Sequence, residues 1–158
     1  MHRYTATVTW ARGSAPFTDL RYSRAHRWRF DGGLDVPASS SPQHVRVPLS
    51  DPSGVDPEEA FVAALSSCHL LSFLYVAAKR GFTVDDYVDD AEGVMAENEH
   101  GRLAITRVVL RPRVRYAEAP DAATESAMHH EAHEACYIAN SVRTEVVVEP
   151  VAASVAAP

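Results

Sequence analysis

Cysteine is nearly absent from the chain: its 158 residues contain two, Cys68 and Cys136. Two cysteines do not build the disulfide framework of a small secreted domain, so they read as catalytic, redox or metal-binding groups. No Cys-x-x-Cys spacing occurs, which removes the usual sequence sign of a structural zinc site. Basic excess is lacking too. With a net charge of −6 and a pI near 5.7 there is no surplus of cations to neutralise phosphates, and nucleic acid is not expected as a partner. The opening Met-His-Arg-Tyr-Thr lacks the basic segment and apolar run of a signal peptide. The most apolar stretch carries Ser66, Ser67, His69 and Ser72, so no membrane span is expected and the cytoplasm is the expected location. There is no internal repeat and too little chain for a second core. A single domain is therefore expected over residues 1–150, with the unpatterned residues 151–158 as a flexible tail. What is present, 46% hydrophobic and 23% charged residues, is a composition that folds.

Residues 56–81 are the stretch around which the rest is organised. Asp56 is a good N-cap, Pro57 suits the first helical position, Glu58 and Glu59 favour the positive end of the helix dipole, and Lys79, Arg80 and Gly81 form a stop. These signals predict a helix of about six turns, apolar on most sides and therefore central and covered. At about 100° per residue, Ala60, Ala63, Leu70, Leu71, Leu74 and Ala78 share one side. Glu58, Cys68, His69, Ser72 and Tyr75 lie in an arc on the other, with Phe61 and Leu65 between them. A carboxylate and a thiol separated by two large apolar side chains outline a small apolar-walled pocket. The helix taken alone also allows Cys68 to be an ordinary small core residue.

The flanking segments alternate as strands do. Residues 4–10 form a first strand and residues 21–30 a second, in which Arg24, His26, Trp28 and Phe30 share the face expected to point inward. The turn at Asp31, Gly32 and Gly33 makes an antiparallel meander. Val45, Val47 and Leu49 read as a short strand, with Arg46 on its opposite side. Residues 83–97 read as one long strand with Gly93 as a bulge, and residues 103–116 as another whose Arg107, Arg111, Arg113 and Arg115 form a solvated face. A second helix is expected over 121–140, and a last strand over 143–149. The fold class is α+β, with antiparallel sheets around a central helix.

On the second helix His129, Ala132, His133 and Cys136 fall on one stripe, which leaves two readings open. Cys136 is the redox partner of Cys68, or His129, His133 and Cys136 ligate a metal with Cys68 or His69. Against the second, the two histidines flanking Glu131 are one residue short of the zincin spacing and do not share a face. Histidines on a partly exposed helical face with no ligand explain the stripe better than zinc does.

Together the two cysteine segments resemble the OsmC/Ohr family of thiol peroxidases. Asp56-Pro57-Glu58 opens the helix, Cys68 follows ten residues after Glu58, and Cys136 lies late in the chain before the last strand. The order of strands and helices also agrees over nearly the whole chain. His69 stands where better-known members have Phe, and Tyr137 where many have Pro, which places the chain in a less characterised branch. The resemblance implies an OsmC-like α+β fold, an entwined homodimer, and reduction of an organic hydroperoxide by a two-cysteine cycle. Cys68 is the implied peroxidatic thiol and Cys136 its resolving partner, with no cofactor and no metal. An external dithiol, lipoyl or another small one, is the implied reductant. A free thiol titrates near 8.5 and Glu58 alone disfavours its ionisation, so a guanidinium is required. Strand parity favours Arg24, held by Glu58, over Arg46 and Arg21. Phe61 and Leu65, beside Cys68, favour an organic substrate. The competing readings are a non-enzymatic redox-sensing or ligand-binding protein and, behind it, a zinc site.

Overall fold

The structure, a computed structural model, describes residues 1–151. The expected tail lies outside the described residues from position 152 onward. Backbone contacts group the chain into two units, Met1–Ala60 and a second that begins at Phe61.

The first unit is a three-stranded antiparallel sheet, β1 (Ala6–Thr9), β2 (His26–Phe30) and β3 (Asp35–Ala38), in that order. The expected meander is present, with shorter strands and a different third member. Residues 21–25 stand outside the ladder, and the Arg24 amide donates to the Leu49 carbonyl at 2.7 Å. Arg24 is thus not part of the β2 alternation from which its inward direction was inferred. Residues 45–49 form turns, closed by Leu49 N–H on the Arg46 carbonyl at 3.0 Å, with a cis Val47–Pro48 bond. Pro48 has no amide to give a ladder, which outweighs the valine alternation around it. The outer edge of β3 instead takes residue 55, through Val55 N–H on Pro37 O at 3.0 Å and Ser39 N–H on Val55 O at 3.1 Å. That strap starts the helix α1 (Pro57–Lys79) one residue after Asp56. Asp56 and Glu59 exchange side-chain to amide hydrogen bonds at 2.8 and 2.9 Å, a capping box that satisfies two otherwise orphaned donors.

In the second unit the two long strands of the sequence reading each break in two. The first becomes β4 (Val84–Asp89) and β5 (Glu92–Glu97), and the second β6 (Leu103–Leu110) and β7 (Pro112–Tyr116). β4 pairs with β7, while β5, β6 and β8 (Glu145–Val148) form a separate sheet in which β8 runs parallel to β6. The break has a visible cause. The Asp89 carboxylate accepts the Arg111 amide at 2.6 Å and the Ser66 hydroxyl at 2.5 Å, so a side chain takes the place of ladder bonds where both strands change sheet. The arginine face is exposed at Arg107 and Arg115, half-buried at Arg111 and Arg113, and paired throughout: Arg107 and Arg111 meet Glu145, Glu149 and Glu92, Arg113 meets Asp90, and Arg115 meets Asp85. Such surface pairs contribute little to stability, about 0–1 kcal/mol each.

The body of α1 buries one stripe, Leu65, His69, Phe73, Val76 and Ala77. Leu65 packs with Val108 and Leu110, and Phe73, Val76 and Ala77 with Val114, Met128 and Ala132. The last two belong to α2 (Ala122–Ala135), whose N-cap Asp121 accepts the Thr124 amide at 2.7 Å. By length and composition α1 could also span a membrane, but this stripe is a core stripe. The helix is not covered all round: Leu71 is 65% exposed and Tyr75 69%.

Gly93 shows how closely β5 approaches α1. A Cβ there would stand 2.6 Å from Val62 Cγ2, and the register shift of β5 falls at Val94 and Met95, next to this contact. Gly93→Ala is expected to destabilise the fold by about 1–3 kcal/mol through overpacking. Urea denaturation reads this directly, and an unchanged midpoint would show that Val62 yields freely.

Candidate functional site

The second unit brings the two thiols to one turn. α2 ends earlier than the sequence implied, at Ala135, and Cys136 is its C-cap in extended conformation, φ −72° and ψ 108°. Asn140, the last residue of the expected helix, works from outside it: its side-chain amide donates to the Glu134 carbonyl at 2.9 Å and its backbone N–H to Cys136 O at 3.0 Å. The chain therefore folds back at once into a single 3₁₀ turn, Ala139–Ser141. Two successive amides of this return serve the sulfurs. Ile138 N–H donates to Cys68 Sγ at 3.5 Å, and Ala139 N–H to Cys136 Sγ at 3.4 Å.

The thiols differ in environment. Cys68 is half-buried, whereas Cys136 is 1% exposed. Burial pushes the Cys136 thiol up to about 11, a hydrogen bond with the Cys68 thiol adds to the shift, and the Ala139 amide opposes it. Both cysteines are free thiols in this structure.

Behind them is a buried pair of imidazoles. His69 Nε2 and His129 Nδ1 share a hydrogen bond of 3.1 Å, with ring planes 9° apart, and His129 stacks on Phe73 at 4.2 Å between centroids. Burial, then His129 and His133, pull His69 down to about 3, and burial pulls His129 down to about 4. Both rings are neutral near pH 7. Helical geometry grouped His69 with Cys68, but packing turns His69 inward to α2. The zinc alternative loses its geometry, since His129 faces His69 and, among the described residues, no three His, Cys, Asp or Glu are arranged to hold a metal ion.

Leu65 does not line a pocket, because it is fully buried against Val108 and Leu110. Phe61 does, in a cavity of about 680 Å³ that Ile105, Val142 and Arg143 also line. Neither cysteine borders that larger cavity.

The first unit holds the other two expected site residues. The Arg24 guanidinium donates to the Leu20 carbonyl at 2.8 Å and to the Tyr22 carbonyl, and it lies 3.9 Å over the Tyr22 ring. Together with Trp10, Phe17, His26 and Val8 it lines a mainly apolar cavity of about 450 Å³. Glu58 Oε1 stands 4.0 Å from His44 Nε2, and its Oε2 is buried without a partner among the described residues. The expected ion pair between Arg24 and Glu58 is not formed, since Arg24 is committed to backbone carbonyls and Tyr22. The weaker candidates, Arg21 and Arg46, are both exposed, and the Arg46 carbonyl closes the 46–50 turn.

A helix-borne thiol meeting a buried second thiol on a late turn, in an α+β frame of sheets that are antiparallel except for the β6–β8 pair, defines a class of two-cysteine proteins. The OsmC-like protein family matches residues 50–151, and the chain belongs to it. An OsmC-like protein of unknown function from Vibrio cholerae is 53% identical, with 96% of this chain and 100% of that one covered and a TM-score of 0.94. An organic hydroperoxide resistance protein from Elizabethkingia anophelis shares the fold at 16% identity and a TM-score of 0.71, covering 98% of this chain and 97% of that one. The organic hydroperoxide resistance protein OhrB of Bacillus subtilis does so at 23% identity and 0.62, covering 94% and 98%. No curated protein matches in sequence.

Proposed function

We propose that the protein is a thiol-dependent peroxidase that reduces organic hydroperoxides through a Cys68 and Cys136 cycle. The observation that carries this reading is the shared turn, which holds a reachable thiol and a buried one under consecutive amides. The Cys68 thiolate attacks the distal peroxide oxygen, the O–O bond breaks, and the electron pair leaves on the alkoxide, which is protonated to the alcohol. Cys68 is then a sulfenic acid. Cys136 displaces its hydroxyl as water and closes the disulfide. A thiol held protonated at about 11 does not compete for peroxide, which suits a resolving role.

Arg24 is the proposed guanidinium for Cys68, and Glu58, which faces His44 and not Arg24 in the single chain, is the proposed carboxylate of the site. The organic substrate class is supported by the aromatic wall around Arg24, Trp10, Phe17 and Tyr22, which no longer depends on Leu65. An external dithiol completes the cycle without a cofactor. The exposed Leu71, Leu74 and Tyr75 of α1 support the entwined homodimer, since a monomer leaves this apolar face in water. We place the protein in the cytoplasm, where dithiol reductants are maintained.

Intact mass tests the reading. One equivalent of cumene hydroperoxide is expected to yield a protein two hydrogens lighter, with Cys68 joined to Cys136. A persistent oxygen adduct, or no change, would falsify the resolving role of Cys136.

A further inference from the structure

We propose that the reductant opens the disulfide from one side only, by attack on Cys68 Sγ with Cys136 as the leaving group. This deepens the peroxidase reading and rests on its two-cysteine cycle.

Thiol–disulfide exchange requires the incoming sulfur to approach its target in line with the bond that breaks, so access decides which sulfur is attacked. Cys136 is 1% exposed, below the last turn of α2 and capped by the Ala139 amide. Cys68 is half-buried and the more open of the two within each chain. Departure from Cys136 carries a penalty, since burial makes it a poor thiolate. Blocked in-line approach is the larger barrier, and the penalty is softened by the Ala139 N–H, which lies 3.4 Å from the sulfur that receives the charge.

The step balances. A thiolate of the dithiol bonds to Cys68 Sγ as the bond between Cys68 and Cys136 breaks, and the electron pair goes to Cys136, which takes up a proton. The second thiol of the reductant then displaces Cys68 from the mixed disulfide and leaves the reductant as its own cyclic disulfide. The protein pair has gained two hydrogens and the dithiol has lost two. The mixed disulfide is carried by Cys68, the same residue that meets the peroxide, so oxidant and reductant use one entrance in turn.

The test closes the disulfide with diamide, without peroxide. The oxidised protein is exposed to glutathione, quenched in acid and mapped by peptide mass. Glutathione is expected on Cys68 at least about tenfold over Cys136. Equal labelling, or a majority on Cys136, overturns the proposal. If Cys136 expels the adduct before quenching, single-cysteine variants decide. In native protein Cys68 of Cys136→Ser is expected to react with dithiobis-nitrobenzoate about a hundredfold faster than Cys136 of Cys68→Ser, and the difference should vanish in denaturant. Comparable native rates overturn it. Failure of diamide to close the bond would count against the two-cysteine cycle itself, whereas the single-cysteine rates judge the direction of attack independently.

Discussion

Cys68→Ser is expected to lower peroxide-dependent oxidation of an added dithiol by about a thousandfold or more, to background. A hydroxyl in that place is a far weaker nucleophile than a thiolate toward peroxide oxygen, and no other free thiol can take over, because Cys136 is 1% exposed and held protonated. Cys136→Ser should behave differently. Its first turnover proceeds, since attack and loss of the alcohol involve only Cys68, and the sulfenic acid then persists for want of a resolving thiol. Dimedone labelling of Cys68 after one equivalent of hydroperoxide distinguishes the two variants. The reading fails if Cys68→Ser retains turnover, or if Cys136→Ser consumes peroxide steadily without accumulating the adduct. A non-enzymatic sensor would also form the disulfide, but would not sustain dithiol turnover.

Local chemistry was legible in the sequence, and long-range geometry was not. The α1 start follows from Asp56, Pro57 and Glu59, neighbours whose hydrogen bonds close within four residues. The ten-residue spacing from Glu58 to Cys68 and the late Cys136 were sufficient for the family, which the match over residues 50–151 bears out. Alternation failed where a distant group intervened. The 83–97 and 103–116 strands look continuous until Asp89 takes the Arg111 amide, and no periodicity announces a bond across 22 positions. Arg24 has the parity of Trp28, but the Leu49 carbonyl, reached across a loop, holds it outside the strand. The turn amides on the sulfurs could not be read from residue types, because backbone donors carry no side-chain signature. His44 was missed as the neighbour of Glu58 for a related reason: it sits in a loop whose course depends on β3 and residue 55. The serine-rich 39–41 segment carries no sequence sign of burial, yet Ser39 is fully buried and its hydroxyl accepts the Asp51 amide at 2.9 Å.

Acid is expected to unfold the protein well before its exposed groups would require it, through His69 and His129. Both imidazoles are neutral in the fold, at about 3 and about 4, and both return to about 6.5 in the unfolded chain. Between these values the unfolded state binds more protons than the folded one, so stability rises with pH across that window. Their contribution is complete above about pH 6.5, falls as pH drops toward 4 and 3, and levels off below, for a total loss on the order of several kcal/mol. The pair cannot be tested by one substitution. His69→Phe leaves His129 Nδ1 buried without its partner, at a cost of about 1–3 kcal/mol at any pH. Replacing both, His69→Phe with His129→Leu, removes donor and acceptor together, and such exchanges can be close to neutral near pH 7. The double variant should therefore match the parent at pH 7.5 and exceed it at pH 4.5 in urea midpoint. If parent and double variant lose stability in parallel between pH 6.5 and 4, the acid sensitivity comes from elsewhere and the His69–His129 bond is only packing.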